Sequence, residues 1–373
     1  MKILIAADSF KDALDSFTVC KAIERGLKKA NPLLQTQCFP MADGGEGTSD
    51  ILAYHLGGIK RELIVCDPLF RSVKTDYLVL EGGKTACIEM AKSSGLQLLT
   101  PSERNPLLTT TYGMGEMILD AINQGVKKIV LAIGGSATND AGIGMVSALG
   151  FKFLDKNGLK LKGIGGDLIH IQKIVPDDRI KDQLAQVRFS VICDVINPLY
   201  GPQGAAHIYA SQKGATDDDI VLLDKGLKNI AKITNHSEIA KKQGAGAAGG
   251  LGFGAMIFLN ATLYRGIDLI IDMTEFEKQV KSSDIIITGE GKIDGQTSQG
   301  KLIMGITSCA AKNRKSVIAL CGVLEASTEQ IKKMGLHSAF SINLEPFNLK
   351  QALSETEKNL ESAAYNIAKL LIG

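Results

Sequence analysis

Apolar residues fill positions 3–7 directly after Lys2, and the run stops at Asp8-Ser9. Helical spacing of apolar positions begins near Thr18 and continues to Lys29, so the chain opens as strand, loop, helix. A second strand is predicted over 37–39, ending at Pro40, and Asp43-Gly-Gly-Glu-Gly47 then leads into a helix over 48–55. Between 63 and 90 the pattern alternates, and strands over 76–80 and 85–89 flank Gly82-Gly83, which predicts a hairpin in a mixed sheet. A helix over 109–124 precedes a strand over 128–133, apolar from Ile129 onward, that breaks at Gly134-Gly135. The polar stretch 155–166 reads as a loop or hairpin, 189–193 as a buried strand ending at Asp194, and 217–234 as an amphipathic surface helix. Residues 241–254 are rich in Gly and Ala but lack the Ser/Pro composition of a tether, so they are expected to pack as a loop ahead of an apolar helix. From 276 onward a helix, a strand (284–288), a glycine-rich loop, a helix (301–313) and a strand (316–321) repeat the rhythm of the N-terminal segment.

This order predicts an α/β protein. A Rossmann-like parallel-sheet domain is expected from 1–64 with 284–373, and a second, inserted α/β domain with a mixed sheet from 65–283; the strand over 128–134 is compatible with either. A chain of 373 residues exceeds the size at which one hydrophobic core usually keeps growing, which agrees with two domains. With 45% hydrophobic and 22% charged residues it lies outside the composition of disordered chains. The formal net charge of +2 supplies no long-range field toward nucleic acid or an anionic membrane, so any anion must be gripped locally. Seven cysteines without metal-ligand spacing, mostly in apolar runs, read as buried thiols of a reducing compartment. The N-terminal apolar run is too short for a signal peptide and no run approaches a membrane span, so a cytoplasmic protein is expected, with no nucleic-acid or membrane partner.

Five segments carry candidate chemistry. Asp8, Ser9 and Lys11 bring a carboxylate, a hydroxyl and an ammonium group to the end of the first strand, although a helix cap and a solvated lysine would also account for them. Asp43 opens a stretch with two carboxylates on a glycine backbone, which is also ordinary turn chemistry. Gly134, Gly135, Ser136, Thr138, Asn139 and Asp140 follow a buried strand and precede a helix of small residues, a pattern suited to an anion and richer in polar side chains than capping requires. Asp194, Asn197 and Lys213 form a fourth group. The fifth, Thr288-Gly-Glu-Gly-Lys-Ile-Asp-Gly-Gln-Thr297 with Lys301, alternates charges on glycines in a way packing does not explain. No P-loop is present, and the five histidines have neither hydrolase nor zinc context.

In this order the segments resemble the bacterial glycerate kinase family of the 2-kinase type. The similarity is carried by DSFK, by PMADGGEGT (40–48), GGSATNDAGIGM (134–145), CDVINPLYGPQGAA (193–206) with QKGA, GAAGGLGFG (246–254) and TGEGKIDGQTSQGK (288–301), collinear over almost the whole chain. The family pattern more often has a small Gly-Ser pair where Asp12-Ala13 stand and Pro where Ala7 stands. The resemblance implies ATP and Mg²⁺, D-glycerate as acceptor, phosphoglycerate with the 2-isomer favoured, and an active site in the cleft between two α/β domains. On this chain it implies a site at Asp8, Ser9, Lys11, Asp43, the 134–140 loop, Asp194, Asn197, Lys213, Glu290, Asp294 and Lys301. Within it, Gly134, Gly135, Gly289 and Gly291 would hold phosphate through backbone amides, and Lys11 or Lys301 would bind the glycerate carboxylate or γ-phosphate. Asp194 is the first choice of general base and Asp43 the second, with Glu290 or Asp294 near Mg²⁺. A kinase for another small hydroxy or sugar acid and a non-catalytic acid-binding regulator are the alternatives; a monomer or homodimer is expected.

Overall fold

The computed structural model describes residues 1–45, 47–295, 302–345 and 348–372. The chain divides into two compact units, one of residues 1–43 with 266–373 and the other of residues 44–265.

In the first unit five parallel strands form one sheet in the order Ser338–Ser341, Ser316–Leu324, Ile285–Ile293, Lys2–Ile5, Gln35–Cys38. Counted along this unit the order is 2-1-3-4-5, the doubly wound arrangement whose topological switch lies between its first and third strands. The first strand is apolar because both faces are covered. Ile3, Ile5, Ile287, Ile318 and Leu320 share a core with Val19, Ile23 and Leu27 of the helix Ser16–Ala30 and with Leu360, Ala364 and Ile367 of the helix Thr356–Ile372. Burying each of these aliphatic side chains is worth roughly 1.5–3 kcal/mol. Asp15 starts the Ser16–Ala30 helix by accepting from the Thr18 amide at 2.7 Å. Gly26 lets the two helices touch, since an added Cβ would lie 2.2 Å from the Glu361 carbonyl oxygen.

The second unit carries a mixed six-stranded sheet in the order Thr262–Tyr264, Arg188–Ile192, Lys128–Ala132, Thr85–Glu89, Ser72–Leu80, Ile59–Cys66. The first four strands are parallel and the last two antiparallel, the Ser72–Leu80 and Thr85–Glu89 pair being the expected hairpin. Ile88, Ile129, Leu131 and Val191 pack with Met114, Met117 and Ile118 of the helix Tyr112–Asn123 and with Leu251 and Phe253 of the helix Ala247–Phe258.

Two expectations differ from these observations. The units change over at 43/44 and 265/266 rather than at 64/65 and 283/284, because the strand Ile59–Cys66 hydrogen-bonds Ser72–Leu80 in the mixed sheet while the ring of Phe276 packs at a tilt against Phe39, centroids 5.1 Å apart. The strand expected over 284–288 runs on to Ile293, and so Gly289, Glu290 and Gly291 lie in the parallel ladder, with Gly289 opposite Leu320 and Glu290 opposite Cys321.

Candidate functional site

In the first unit, chemistry gathers at the topological switch. The Ala6 amide donates to the Ile287 carbonyl at 2.8 Å and the Asp8 amide to the Gly289 carbonyl at 2.9 Å, so the first strand hands Asp8 over beside Glu290. On the other side the Met41 amide donates to the Ala7 carbonyl at 3.0 Å, which fixes the backbone leading to Asp43. Gly289 makes this approach possible. An added Cβ there would lie 2.7 Å from the Leu320 carbonyl oxygen and 3.3 Å from the Phe10 ring, whereas one on Gly291 would lie 3.6 Å from the Lys11 backbone nitrogen, an ordinary contact.

The consequence is electrostatic. Burial pushes the Asp8 carboxyl up to about 8, and the charges of Asp43 and Glu290 push the same way; the Ser9 amide, donating to Asp8 Oδ1 at 2.7 Å, pulls against them. Glu290 is buried, whereas Ser9 and Lys11 are exposed. Asp294 Oδ2 stands 3.4 Å from the Lys292 ammonium, which also pairs with Glu325. Lys301 lies outside the described residues.

In the second unit the predicted 134–140 loop and Lys213 come together. Gly135 turns with φ 72°, and Gly134 sits where an added Cβ would meet the Gly45 Cα at 3.3 Å. The buried Lys213 ammonium donates to Ser136 Oγ and to the Thr138 carbonyl, each at 2.7 Å. Burial pulls this amine down to about 7, with the Asp140 charge opposing the shift. Thr138 and Asn139 are fully buried, yet Thr138 Oγ1 and both amide atoms of Asn139 have no hydrogen-bond partner among the described residues. Buried polar atoms are nearly always paired, and unpaired ones beside a buried cation suit an oxyanion.

Asp140 does different work from its neighbours. Its carboxylate accepts from the Thr111 amide (2.8 Å), the Thr111 hydroxyl (2.7 Å) and the amides of Gly142 and Gly144 (3.0 and 3.2 Å). It thus ties the loop to the start of the Tyr112–Asn123 helix, and desolvation holds its carboxyl above the usual range despite these bonds. Asn197 is likewise engaged, donating to the Gln203 carbonyl at 2.9 Å and accepting from the Tyr209 hydroxyl at 2.6 Å. Asp194 is exposed just beyond the strand Arg188–Ile192. The Gly/Ala-rich segment packs on these loops. An added Cβ on Gly249 would meet the Thr138 carbonyl oxygen at 2.1 Å, one on Gly246 the Pro198 carbonyl oxygen at 2.3 Å, and one on Gly254 the Ala141 carbonyl oxygen at 2.2 Å.

Two supports escaped the sequence reading. Thr109, Thr110 and Thr111 are all buried, and Thr109 Oγ1 donates to the Ala137 carbonyl at 2.9 Å; three consecutive threonines at a helix start exceed capping needs and were the available signal. Glu89, buried at the end of its strand, accepts from the Ser49 amide and hydroxyl at 3.0 Å each and so fixes the helix Thr48–Leu56, with Lys92 between Glu89 and Asp76 at 3.4 and 2.7 Å. Nothing in the spacing of these residues signals that network.

The model of the glycerate kinase family matches residues 3–372. A protein of Halalkalibacterium halodurans named glycerate kinase is 42% identical over 369 residues, covering 98% of this chain and 97% of the relative. An Escherichia coli K12 protein named glycerate 2-kinase is 39% identical over 374 residues, covering 100% of this chain and 98% of the relative. A crystal structure assigned by name to glycerate kinase 2 of Salmonella typhimurium LT2 superposes with a TM-score of 0.86 at 37% identity, covering 100% of this chain and 98% of the other.

Proposed function

The chain belongs to the glycerate kinase family, and on that premise we propose that it transfers the γ-phosphoryl group of ATP to a hydroxyl of D-glycerate, releasing ADP and phosphoglycerate, with the 2-phospho isomer favoured. The observation that carries the chemistry is Asp8, whose carboxyl sits near 8 at the switch point of the parallel sheet. A group with a proton affinity close to working pH is suited to accept the acceptor's hydroxyl proton. As that proton passes to Asp8, the hydroxyl oxygen attacks the γ-phosphorus and the bond to the bridging oxygen of ADP breaks. Burial, helped by the charges of Asp43 and Glu290, keeps the Asp8 carboxylate basic enough for this step.

The second unit supplies the oxyanion donors. Lys213 has three N–H donors when charged and spends two on Ser136 and Thr138, which leaves one for a phosphate oxygen; the side chains of Thr138 and Asn139 add donors already desolvated. Gly134 and Gly135 shape the turn that presents them. Ser9 and Lys11, exposed beside Asp8, are suited to the glycerate carboxylate, as is Lys301. Asp140 and Asn197 act through the backbone they anchor rather than on a substrate.

Magnesium fits the first unit. Burial is the main cause of the raised Asp8, and the added repulsion of Asp43 and Glu290 places further carboxylate oxygens near it, the ligands a hard divalent cation selects. Among the described residues no group of three or more ligands holds a metal unaided, and a cation carried on nucleotide phosphates needs only one or two carboxylates. Glu290 and Asp294 would hold it. Bound, it would neutralise charge on the β- and γ-phosphates.

Asp194, the first choice of base from the sequence, stands second to Asp8 on this reading, because it is exposed. The test is a coupled ADP-release assay with D-glycerate against a panel of hydroxy and sugar acids, with the product isomer assigned by phosphorus NMR. Asp8→Asn is expected to lower kcat at least about a hundredfold and Asp194→Asn less than about tenfold. The reverse order moves the base to Asp194, and glycerate binding without ATP turnover would leave a regulator in place of a kinase. Among the described residues no helix is long and apolar enough to cross a membrane.

A further inference from the structure

Arg104 belongs to no segment singled out above, and its surroundings are unusual. It follows the short helical turn Pro101–Glu103 and begins the stretch that wraps the anion-binding loop: Thr109 Oγ1 donates to the Ala137 carbonyl, and Thr111 donates twice to Asp140. Its backbone lies directly on the turn after Lys213. Gly214 has φ +92°, and a Cβ added there would come 2.1 Å from the Arg104 carbonyl oxygen and 3.0 Å from Arg104 Cβ. The neighbouring lysine is the one whose ammonium enters the 136–138 turn.

The Arg104 Nε is sealed from water and has no hydrogen-bond partner among the described residues. Nor does any described carboxylate pair with its guanidinium, in contrast to Arg25, Arg61 and Arg71, each of which holds an acid at 2.5 or 2.6 Å. The residue as a whole is half-buried, and of its guanidinium nitrogens Nε is the one shut off from water. An unmet donor of this kind is unfavourable, and the ligand that satisfies it is a planar or tetrahedral oxyanion accepting from Nε and a neighbouring Nη together.

We infer that Arg104 is a further substrate-binding residue that grips an oxyanion of one substrate, either a nucleotide phosphate or the carboxylate of the three-carbon acid. The inference rests on the kinase reading above, which wild-type turnover of D-glycerate tests separately. The experiment compares wild type, Arg104→Gln and Arg104→Lys by steady-state kinetics with ATP and D-glycerate varied in turn, and by calorimetric titration with ADP and with adenosine. If the anion is the nucleotide's, Arg104→Gln raises the KM for ATP about tenfold or more and weakens ADP to the same degree, while adenosine affinity and the KM for glycerate stay put. If it is the acid's, the KM for glycerate alone rises. Either pattern supports the inference. Unchanged KM values for both substrates overturn it, and so does an equal loss of ADP and adenosine affinity that accompanies a lowered melting temperature and is fully restored in Arg104→Lys, because that marks Arg104 as a packing element.

Discussion

Replacing Lys213 by Met tests the electrostatics of the anion loop through stability instead of turnover. Burial lowers the Lys213 amine from 10.5 to about 7, while in the unfolded chain it keeps the ordinary value. Between those two pH values the unfolded state holds more protons, so stability rises with pH; the benefit is complete above 10.5 and is lost as pH falls through 7. At pH 7 the charged amine therefore opposes folding by about 4 kcal/mol, and by pH 9 about 2 kcal/mol of that opposition is gone. Met keeps the length of the side chain but gives up two hydrogen bonds, about 1 kcal/mol each net, and strands the acceptors on Ser136 and Thr138. Lys213→Met is thus expected to be as stable as wild type or up to about 2 kcal/mol more stable at pH 7, while kcat/KM falls at least about a hundredfold. The sharper quantity is the slope. In urea unfolding at pH 7 and pH 9, wild type should gain about 2 kcal/mol more than Lys213→Met over that interval, since every other titrating group is common to both. Equal gains would refute a depressed, buried amine at this position.

Asp8 gives the opposite sign. Its folded value near 8 lies above the ordinary 3.8, so stability falls as pH rises between them, and Asp8→Asn should flatten that fall in urea unfolding from pH 5 to pH 8. Wild-type kcat/KM should in turn climb with pH along a limb centred near 8. Gly249→Ala places a methyl group 2.1 Å from the Thr138 carbonyl oxygen at a backbone with φ +67°, and should cost about 2–3 kcal/mol in denaturant unfolding and raise the KM for ATP. Thr111→Val removes the hydroxyl that donates to Asp140 and accepts from the Met145 amide, leaves a buried carboxylate short of a donor, and should lower stability by about 2–3 kcal/mol as read by the melting temperature.

Much of the architecture was legible because it rests on periodicity. Runs at 3–7, 129–133 and 189–193 that are apolar at all positions but Ser190 are what strands covered on both faces require, and each lies in a parallel ladder. In the sequence the third strand of the first sheet reads as ending at 288 because glycine is a poor strand residue; the need for glycine at 289 is set by the Leu320 carbonyl and the Phe10 ring, which sequence distance hides. At the site, the polar cluster 136–140 stood out as residue types, but their division of labour did not. Asp140 is consumed by backbone amides from two helix starts, and Asn139 keeps both amide atoms unpartnered among the described residues. The burial of Lys213 depends on a loop some distance upstream in sequence, and no local pattern announces a lysine that loses its charge near neutrality.

The interleaving of the first unit constrains the order in which the protein can assemble. The strand that carries Asp8 is flanked on one side by a segment 282 positions further along, as the bond from the Lys2 amide to Asp284 shows. During synthesis that strand emerges early and waits, with one edge unpaired, until the polypeptide beyond residue 285 has left the ribosome. By then the entire 44–265 stretch is available to fold around its own core. A nascent chain arrested before 285 would therefore hold a formed 134–140 loop without the strand beside Asp8, so on the proposed function competence for turnover arrives only with the last hundred or so residues.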